Sequence, residues 1–148
     1  MDDATQNLAV SLFSELLTVD QLVRLQVAKA LPKGMELSHF TVLNHLAHSG
    51  GERSPAQLAT SFHLTRGAMT NTLSKLEWAG WVHVRPDWDD ARRKKVSISP
   101  SGLAARDAGV AVIAPLIADV VGKVGADRVK TVLPVLREMR MRLTENKP

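Results

Sequence analysis

Residues 54–80, SPAQLATSFHLTRGAMTNTLSKLEWAG, decide the fold because they contain the start and stop signals of two short helices. Ser54 is a typical helix cap, Pro55 suits the first helical position, and Gln57 can return the capping-box bond. Thr65 predicts the start of the second helix, and Gly80 predicts a left-handed residue at its end. Two helices joined by a turn of a few residues form a helix-turn-helix.

Two short alternating segments follow the second helix. Apolar and polar residues alternate in WVHVR (81–85) and again in KVSI (95–98), which predicts two strands that each turn one face inward. The tip between them, residues 86–92, is polar and charged, so we expect it to project into solvent. A hairpin directly after a helix-turn-helix is a wing.

Helices are predicted on both sides of this region. Apolar residues at three- and four-residue steps indicate a long helix over about 7–30, a second one opened by Ser38, and two more over about 101–121 and 127–144. Pro115 and Pro134 lie inside the last two and are expected to kink or break them. The predicted fold class is mostly α with a small β-hairpin. We expect one domain over residues 1–148, with a winged helix-turn-helix at about 36–100 and flanking helices at about 6–31 and 101–145.

Composition limits the classes of function. The 148 residues include no cysteine, which excludes disulfides, thiolate metal sites and cysteine redox sensors. There is no apolar run of about 18 residues and no secretory signal pattern, so we expect a soluble, cytoplasmic protein without a membrane partner. The net charge of +4 favours a polyanion partner only if the basic residues share one face.

The outer face of the second helix is suited to DNA. Met69, Leu73 and Leu76 lie on one narrow arc and should pack inward. The opposite side is short, uncharged or basic, and the free N–H groups of the first turn favour phosphate. Arginine and asparagine can pair with base edges in the major groove. The candidate DNA-binding residues of the helix-turn-helix are Ser54, Thr65, Arg66, Gly67, Ala68, Thr70, Asn71, Ser74 and Lys75. Each could equally be an ordinary surface residue.

Residues 58–102, LATSFHLTRGAMTNTLSKLEWAGWVHVRPDWDDARRKKVSISPSG, resemble the MarR family of bacterial winged-helix transcription regulators. The wing of that family typically has Asp-x-Arg, matched here by Asp90 and Arg92, and then a strand leading into Leu-Thr-x-x-Gly, matched by residues 98–102 with conservative changes. The flanking helices also fit, so the resemblance covers nearly the whole chain.

The resemblance implies that Arg92 reaches toward the minor groove while Asp90 holds it in place. Arg93, Lys94 and Lys95 would then add phosphate contacts, although strand alternation means that they cannot all face the same way. A carboxylate that fixes an arginine before DNA arrives offsets part of the ordering cost. The alternative is a solvated charged turn. For Trp88 three roles stay open: stacking under the wing, touching DNA sugars, or contacting a partner.

A two-fold homodimer is expected, because helix-turn-helix proteins gain affinity by binding two half-sites. The first and last helices carry more apolar residues than a small winged helix can cover, and the resemblance implies that they interlock between protomers. The candidate dimer residues are Leu8, Leu12, Leu16, Leu133, Leu136, Met139 and Leu143. Packing on their own domain is the alternative. The resemblance also implies a small-molecule effector, whose identity the sequence does not give.

The sequence therefore predicts a sequence-specific double-stranded DNA-binding transcription regulator, a ligand-responsive repressor that acts as a homodimer on a palindromic operator. No cofactor is expected. A metal site is not expected either, because His45 and His48 could share a helix face but His39 lies opposite His48. No motif for catalysis occurs, so we do not expect an enzyme. The remaining alternative is a nonspecific architectural or protein-interaction winged helix.

Overall fold

The structure is a computed structural model, and it describes residues 2–146. The predicted fold class is confirmed: these residues form six helices and one two-stranded antiparallel sheet. In chain order the elements are α1 (Asp3–Ala30), α2 (Leu37–Ser49), α3 (Pro55–Ser61), α4 (Arg66–Trp78), β1 (Val82–Pro86), β2 (Lys94–Ile98), α5 (Pro100–Val124) and α6 (Ala126–Glu145).

The chain divides into two compact units, one up to Ala111 and one from Val112 onward. The boundary lies inside α5, and Pro115 four residues after Ala111 lacks the N–H that would bond to the Ala111 carbonyl. Both Pro115 and Pro134 lie within continuous helices, so neither breaks its helix. The single domain over residues 1–148 stays a prediction, and Met1, Lys147 and Pro148 lie outside the described residues.

The starts of α3 and α4 are those predicted. The Ser54 hydroxyl accepts from the Gln57 N–H at 3.1 Å, and the Gln57 side chain accepts from the Ser54 N–H at 2.8 Å. The Thr65 hydroxyl accepts from the Ala68 N–H at 3.1 Å. Helix α4 ends at Trp78, and Gly80, two residues later, has the expected positive φ, of 79°.

The predicted start of α2 at Ser38 is wrong. The helix begins at Leu37, and Glu36 is its cap. The Glu36 N–H donates to Nδ1 of His39 at 3.1 Å, so a histidine takes the part that glutamine takes in α3. Serine is the commoner cap, which is why the pattern indicated Ser38.

The core of the first unit lies between the helix-turn-helix, α2 and the sheet. Met69, Leu73 and Leu76 are buried, as predicted for the inner face of α4. In the sheet, Val82 is opposite Ile98 and Val84 is opposite Val96. The sequence did not indicate a further pairing, in which the Arg53 N–H donates to the Val96 carbonyl at 2.9 Å and the Val96 N–H donates to the Arg53 carbonyl at 2.7 Å. This bridge joins the wing to the start of α3.

Ser99 lies between β2 and α5 and also bonds to the segment that ends α4. The Ser99 hydroxyl donates to the Gly80 carbonyl at 2.6 Å and accepts from the Gly102 N–H at 2.9 Å. A Cβ on Gly102 would lie 1.9 Å from the Trp81 carbonyl oxygen. The position therefore requires glycine because backbone fills the space that a side chain would need.

Gly102→Ala should destabilise the protein by about 1–3 kcal/mol, since the clash outweighs the gain in helix propensity. Urea denaturation followed by circular dichroism measures the change. Gly122→Ala in the same helix is the control, because a Cβ there meets no atom within 4 Å, and it should leave the free energy of unfolding equal or raise it. Equal stability of the two variants would contradict the packing described for Gly102.

Because His39 is buried, we expect the protein to be less stable in mild acid. The residue is 7% exposed, and burial lowers its pKa below the usual value, with Lys75 adding to the effect and Glu36 opposing it. Because the unfolded chain takes up the proton first, the free energy of unfolding should decrease as pH falls through about 6.5.

His39→Gln should reduce this pH dependence, since the amide oxygen can still accept from the Glu36 N–H but does not titrate. Urea denaturation at about pH 7.5 and about pH 5.5 measures the difference for both proteins. The same loss of stability in the variant would show that other groups cause it.

Candidate nucleic-acid interface

Helix α4 presents the predicted residues on its exposed side. Gly67, Ala68, Thr70, Asn71, Ser74 and Lys75 are all exposed, as are Thr65 and Arg66 at the start of the helix. A Cβ on Gly67 would meet no atom within 4 Å, so no packing inside the protein requires a glycine there. Glu77 is the one acidic residue of this 13-residue helix, and it lies in the last turn. The first three turns therefore offer a polar, acid-free surface.

A groove of about 620 Å³ runs between α3, α4 and the wing. Ser54, Arg66, Thr70 and Ser74 line it from the helix-turn-helix side, and Arg92, Arg93 and Lys94 line it from the wing. Seven of the thirteen predicted DNA-binding residues thus meet at one groove. Lys95, expected with Arg93 and Lys94 to contact phosphate, also lines it. The other lining residues were not predicted: Pro55, Ala56, Gln57, Leu73, Glu77, Val84, Asp87 and Val96.

Two aspartates of the wing tip, Asp87 and Asp90, accept hydrogen bonds from its backbone. The Asp87 carboxylate accepts from the Asp89 N–H at 3.0 Å, and the Asp90 carboxylate accepts from the Arg92 N–H at 3.1 Å. The Asp87 N–H donates to the Arg93 carbonyl at 2.9 Å and closes the loop. Such side-chain to backbone bonds are typical of aspartate in turns, so the acids give the loop one conformation.

Asp90 also pairs with two arginines. Its carboxylate lies 3.2 Å from Nε of Arg92 and 3.6 Å from Nε of Arg93. The bonds from the backbone N–H and then the side chain of Arg92 lower the pKa of Asp90, and the charge of Arg93 adds to this. The Arg92 side chain is nevertheless 91% exposed. The wing therefore presents the Arg92 guanidinium, which is oriented by the bond from its Nε to Asp90 and is accessible to a partner.

Glu52, Arg85 and Trp88 form a cluster that the sequence analysis missed. Glu52 accepts two hydrogen bonds from Arg85, and the Arg85 guanidinium lies 3.8 Å from the centre of the Trp88 ring. The Trp88 ring thus stacks on Arg85 within the wing, while the residue is 84% exposed, and contact with DNA sugars or with a partner stays a prediction. One signal was available: Arg85 is opposite Lys95 in the hairpin, and like charges that face each other across strands need a counter-ion.

The predicted dimer residues lie on exposed apolar surface, each within its own unit. In α1, Leu8, Leu12 and Leu16 are exposed, and Val27 is the only buried residue of the helix. In α6, Leu133 and Leu143 are exposed, Leu136 and Met139 are half-buried, and no residue is buried. These faces lack the cover that leucine normally has in a folded protein.

His45 and His48, the two histidines that could share a helix face, each contact another side chain. His45 packs edge-on against Phe62 with 5.3 Å between the ring centres, and Nε2 of His48 lies 3.4 Å from the Arg106 guanidinium. Among residues 2–146, no three histidine or acidic side chains lie close enough to hold a metal ion.

No single helix within residues 2–146 has the length and apolar character to cross a membrane. Only α5 and α6 taken together, as a bent pair, reach that length and composition.

Comparison with known proteins gives a family for part of the chain and a fold for nearly all of it. Residues 33–93 match the model of the MarR family. The transcriptional regulator BldR from Sulfolobus solfataricus has a similar structure, with a TM-score of 0.82 and 22% identity over 96% of this chain and 99% of that one. The structure of a MarR mutant from E. coli in complex with operator DNA is also similar. Its TM-score is 0.80 and its sequence identity is 23%, over 90% of this chain and 96% of that one.

BpsR from Bordetella bronchiseptica is also similar, with a TM-score of 0.78 and 17% identity over 88% of this chain and 98% of that one. A search of curated protein sequences found no match. The solved structures therefore support the predicted fold along nearly the whole chain, and the family match covers the helix-turn-helix and most of the wing.

Proposed function

We propose, from the match of residues 33–93 to the model of the MarR family, that this protein is a MarR-like, sequence-specific, double-stranded DNA-binding transcription regulator. It acts in the cytoplasm as a homodimer on a palindromic operator, as a repressor whose DNA affinity responds to a small molecule. Binding, without a catalysed reaction, is its activity.

The observation that carries this proposal is the shared groove. The acid-free face of α4 and the exposed wing guanidinium belong to the same unit, and Arg66 and Arg92 line the same groove. An α-helix fits the major groove of B-DNA, and an arginine suits the narrower minor groove beside it. A helix and a wing that both border one groove can contact adjacent parts of one duplex.

The similar structures support this assignment at the level of fold. One of them is a MarR mutant in complex with operator DNA. Our chain has that fold over 90% of its length, and Asp90 and Arg92 are present and in contact in the wing.

The exposed leucines of α1 and α6 support the proposed homodimer. A single copy leaves these faces in water, whereas a second copy can bury them and place two α4 helices on half-sites about 10 base pairs apart. A palindromic operator reflects that two-fold symmetry.

Regulation by a small molecule has a physical condition. A ligand shifts DNA binding only if its affinity differs between the conformations that bind DNA and those that do not. For BpsR, DNA binding is regulated by 6-hydroxynicotinic acid. For our chain the proposal is the regulatory principle, with no ligand specified.

Selection of bound duplexes from a random DNA pool tests the proposal directly. The expected result is one enriched motif with two-fold symmetry. A motif without symmetry would contradict the dimer, and no enrichment would contradict sequence-specific binding.

The alternative is a winged helix that binds DNA or protein without sequence preference. The two differ in the ratio of affinities for the selected site and for bulk genomic DNA at physiological salt. A specific regulator should show a ratio of about 10³ or more, and a ratio near one would favour the architectural module.

Arg92→Ala should weaken binding to the selected site by about 1–3 kcal/mol, because the wing loses its exposed guanidinium. Fluorescence anisotropy with labelled duplex measures the affinity. Arg24→Ala is a matched control: it also removes an exposed arginine that is paired with an aspartate, but from α1. Equal effects of the two changes would mean that only net charge matters.

Asn71→Ala and Lys75→Ala should separate base contacts from phosphate contacts. Asn71→Ala should change the selected sequence, since asparagine pairs with adenine in the major groove. Lys75→Ala should keep the motif and reduce the slope of log affinity against log salt by about one. Repeating the DNA selection and a salt titration with both variants distinguishes the two kinds of contact. An unchanged motif with Asn71→Ala would show that Asn71 does not contact bases.

A further inference from the structure

Arg85 is bound on two sides by groups of the same unit. Its Nε lies 2.7 Å from Oε2 of Glu52 and its Nη2 lies 2.6 Å from Oε1, while Nη1 donates to the Pro86 carbonyl at 2.8 Å. Glu52 precedes Arg53, whose backbone pairs with Val96. The ion pair therefore connects the segment before α3 to the far end of β1, where the wing tip begins.

Trp88 extends this connection into the tip. Its ring lies over the Arg85 guanidinium at 3.8 Å, and it is followed within four residues by Asp90 and Arg92. A planar guanidinium can hold a carboxylate at its edge and an aromatic ring on its face at the same time, which an ammonium cannot do as well. We call Glu52, Arg85 and Trp88 the wing bracket.

Exposure distinguishes Arg85 from the other wing arginines. The Arg85 side chain is 30% exposed, against 91% for Arg92 and 75% for Arg93. Glu52 also neutralises one of the two cations that face each other in the Arg85–Lys95 pair. Arg85 is thus committed to internal contacts and is a poor candidate for a phosphate contact.

We propose that the wing bracket is a positioning device: Glu52, Arg85 and Trp88 fix the wing tip relative to α4, so that Arg92 is presented where DNA passes. The effect on DNA rests on the proposed function. Arg85 and Glu52 act through Arg92 and do not touch DNA themselves.

The first test uses the free protein and needs no DNA. Arg85→Lys keeps the charge but loses the two-pronged bond and the flat stacking surface. Amide hydrogen exchange at Asp89 and Arg92, whose N–H groups bond to aspartates of the tip, should become about three- to tenfold faster, while α3 and α4 stay unchanged.

Arg24→Lys is the matched control for this test, because Arg24 also binds a carboxylate through two oxygen contacts. It should leave exchange in the wing unaltered. Unchanged exchange in Arg85→Lys would overturn the proposal whether or not the protein binds DNA.

The second test uses the sign of a charge effect. Glu52→Gln removes an acid, and so does Glu77→Gln at the groove. If both acids only repelled DNA, both changes would strengthen binding. With the bracket, Glu77→Gln should strengthen binding to the selected duplex and Glu52→Gln should weaken it about three- to tenfold. Stronger binding in both variants would overturn the proposal.

A double-mutant cycle tests whether the bracket acts through Arg92. Arg85→Lys should weaken binding in the otherwise unchanged protein and have little further effect in Arg92→Ala. Equal losses in both backgrounds would show that Arg85 contacts DNA on its own, which contradicts the proposal. Failure to find any preferred duplex would instead contradict the proposed function, and the exchange experiment would still decide whether the bracket holds the wing.

Discussion

The geometry of the interface depends on how Val96 is held. Its side chain is completely buried, and its backbone pairs with Arg53, the residue before the cap of α3. A two-stranded hairpin is marginally stable alone in water, so this second partner gives β2 an anchor in the helix-turn-helix. The Ser99 hydroxyl adds an anchor at the end of α4 through the Gly80 carbonyl. As a result the base of the wing is hydrogen-bonded to both ends of the helix-turn-helix, which suits a surface that fits two features of a duplex.

Charge in the wing is divided between two tasks. Asp87 and Asp90 accept hydrogen bonds from backbone N–H groups of the tip, and Glu52 binds Arg85, which is the least exposed of the three wing arginines. Arg92 and Arg93 share the Asp90 carboxylate and stay exposed, and Lys94 beside them is exposed as well. The tip can therefore present a positive end, because two of its three aspartates are engaged in bonds within it while these three cations stay exposed.

Local signals made much of this predictable. The helix-turn-helix and the wing were predicted because caps, a terminal glycine and alternation each act within a few residues of the chain. Ser54, Thr65 and Gly80 have the roles that their types indicate. The interactions that the sequence did not disclose join distant residues: Glu52 and Arg85 are 33 positions apart, and the Arg53–Val96 bridge involves one residue outside any strand. The start of α2 was misplaced because the His39 ring, and not a glutamine or glutamate, accepts the bond from the N–H of the cap residue.

Gly67 is a position at which the DNA-sequence preference of this protein could change. Substitution in a core or an interface usually costs folding energy, but the space above Gly67 holds no atom of the protein, and glycine is a poor residue for a helix interior. Larger side chains can therefore be accommodated there without loss of the fold. The position offers a route by which target choice could diverge, by evolution or by engineering, independently of structural integrity.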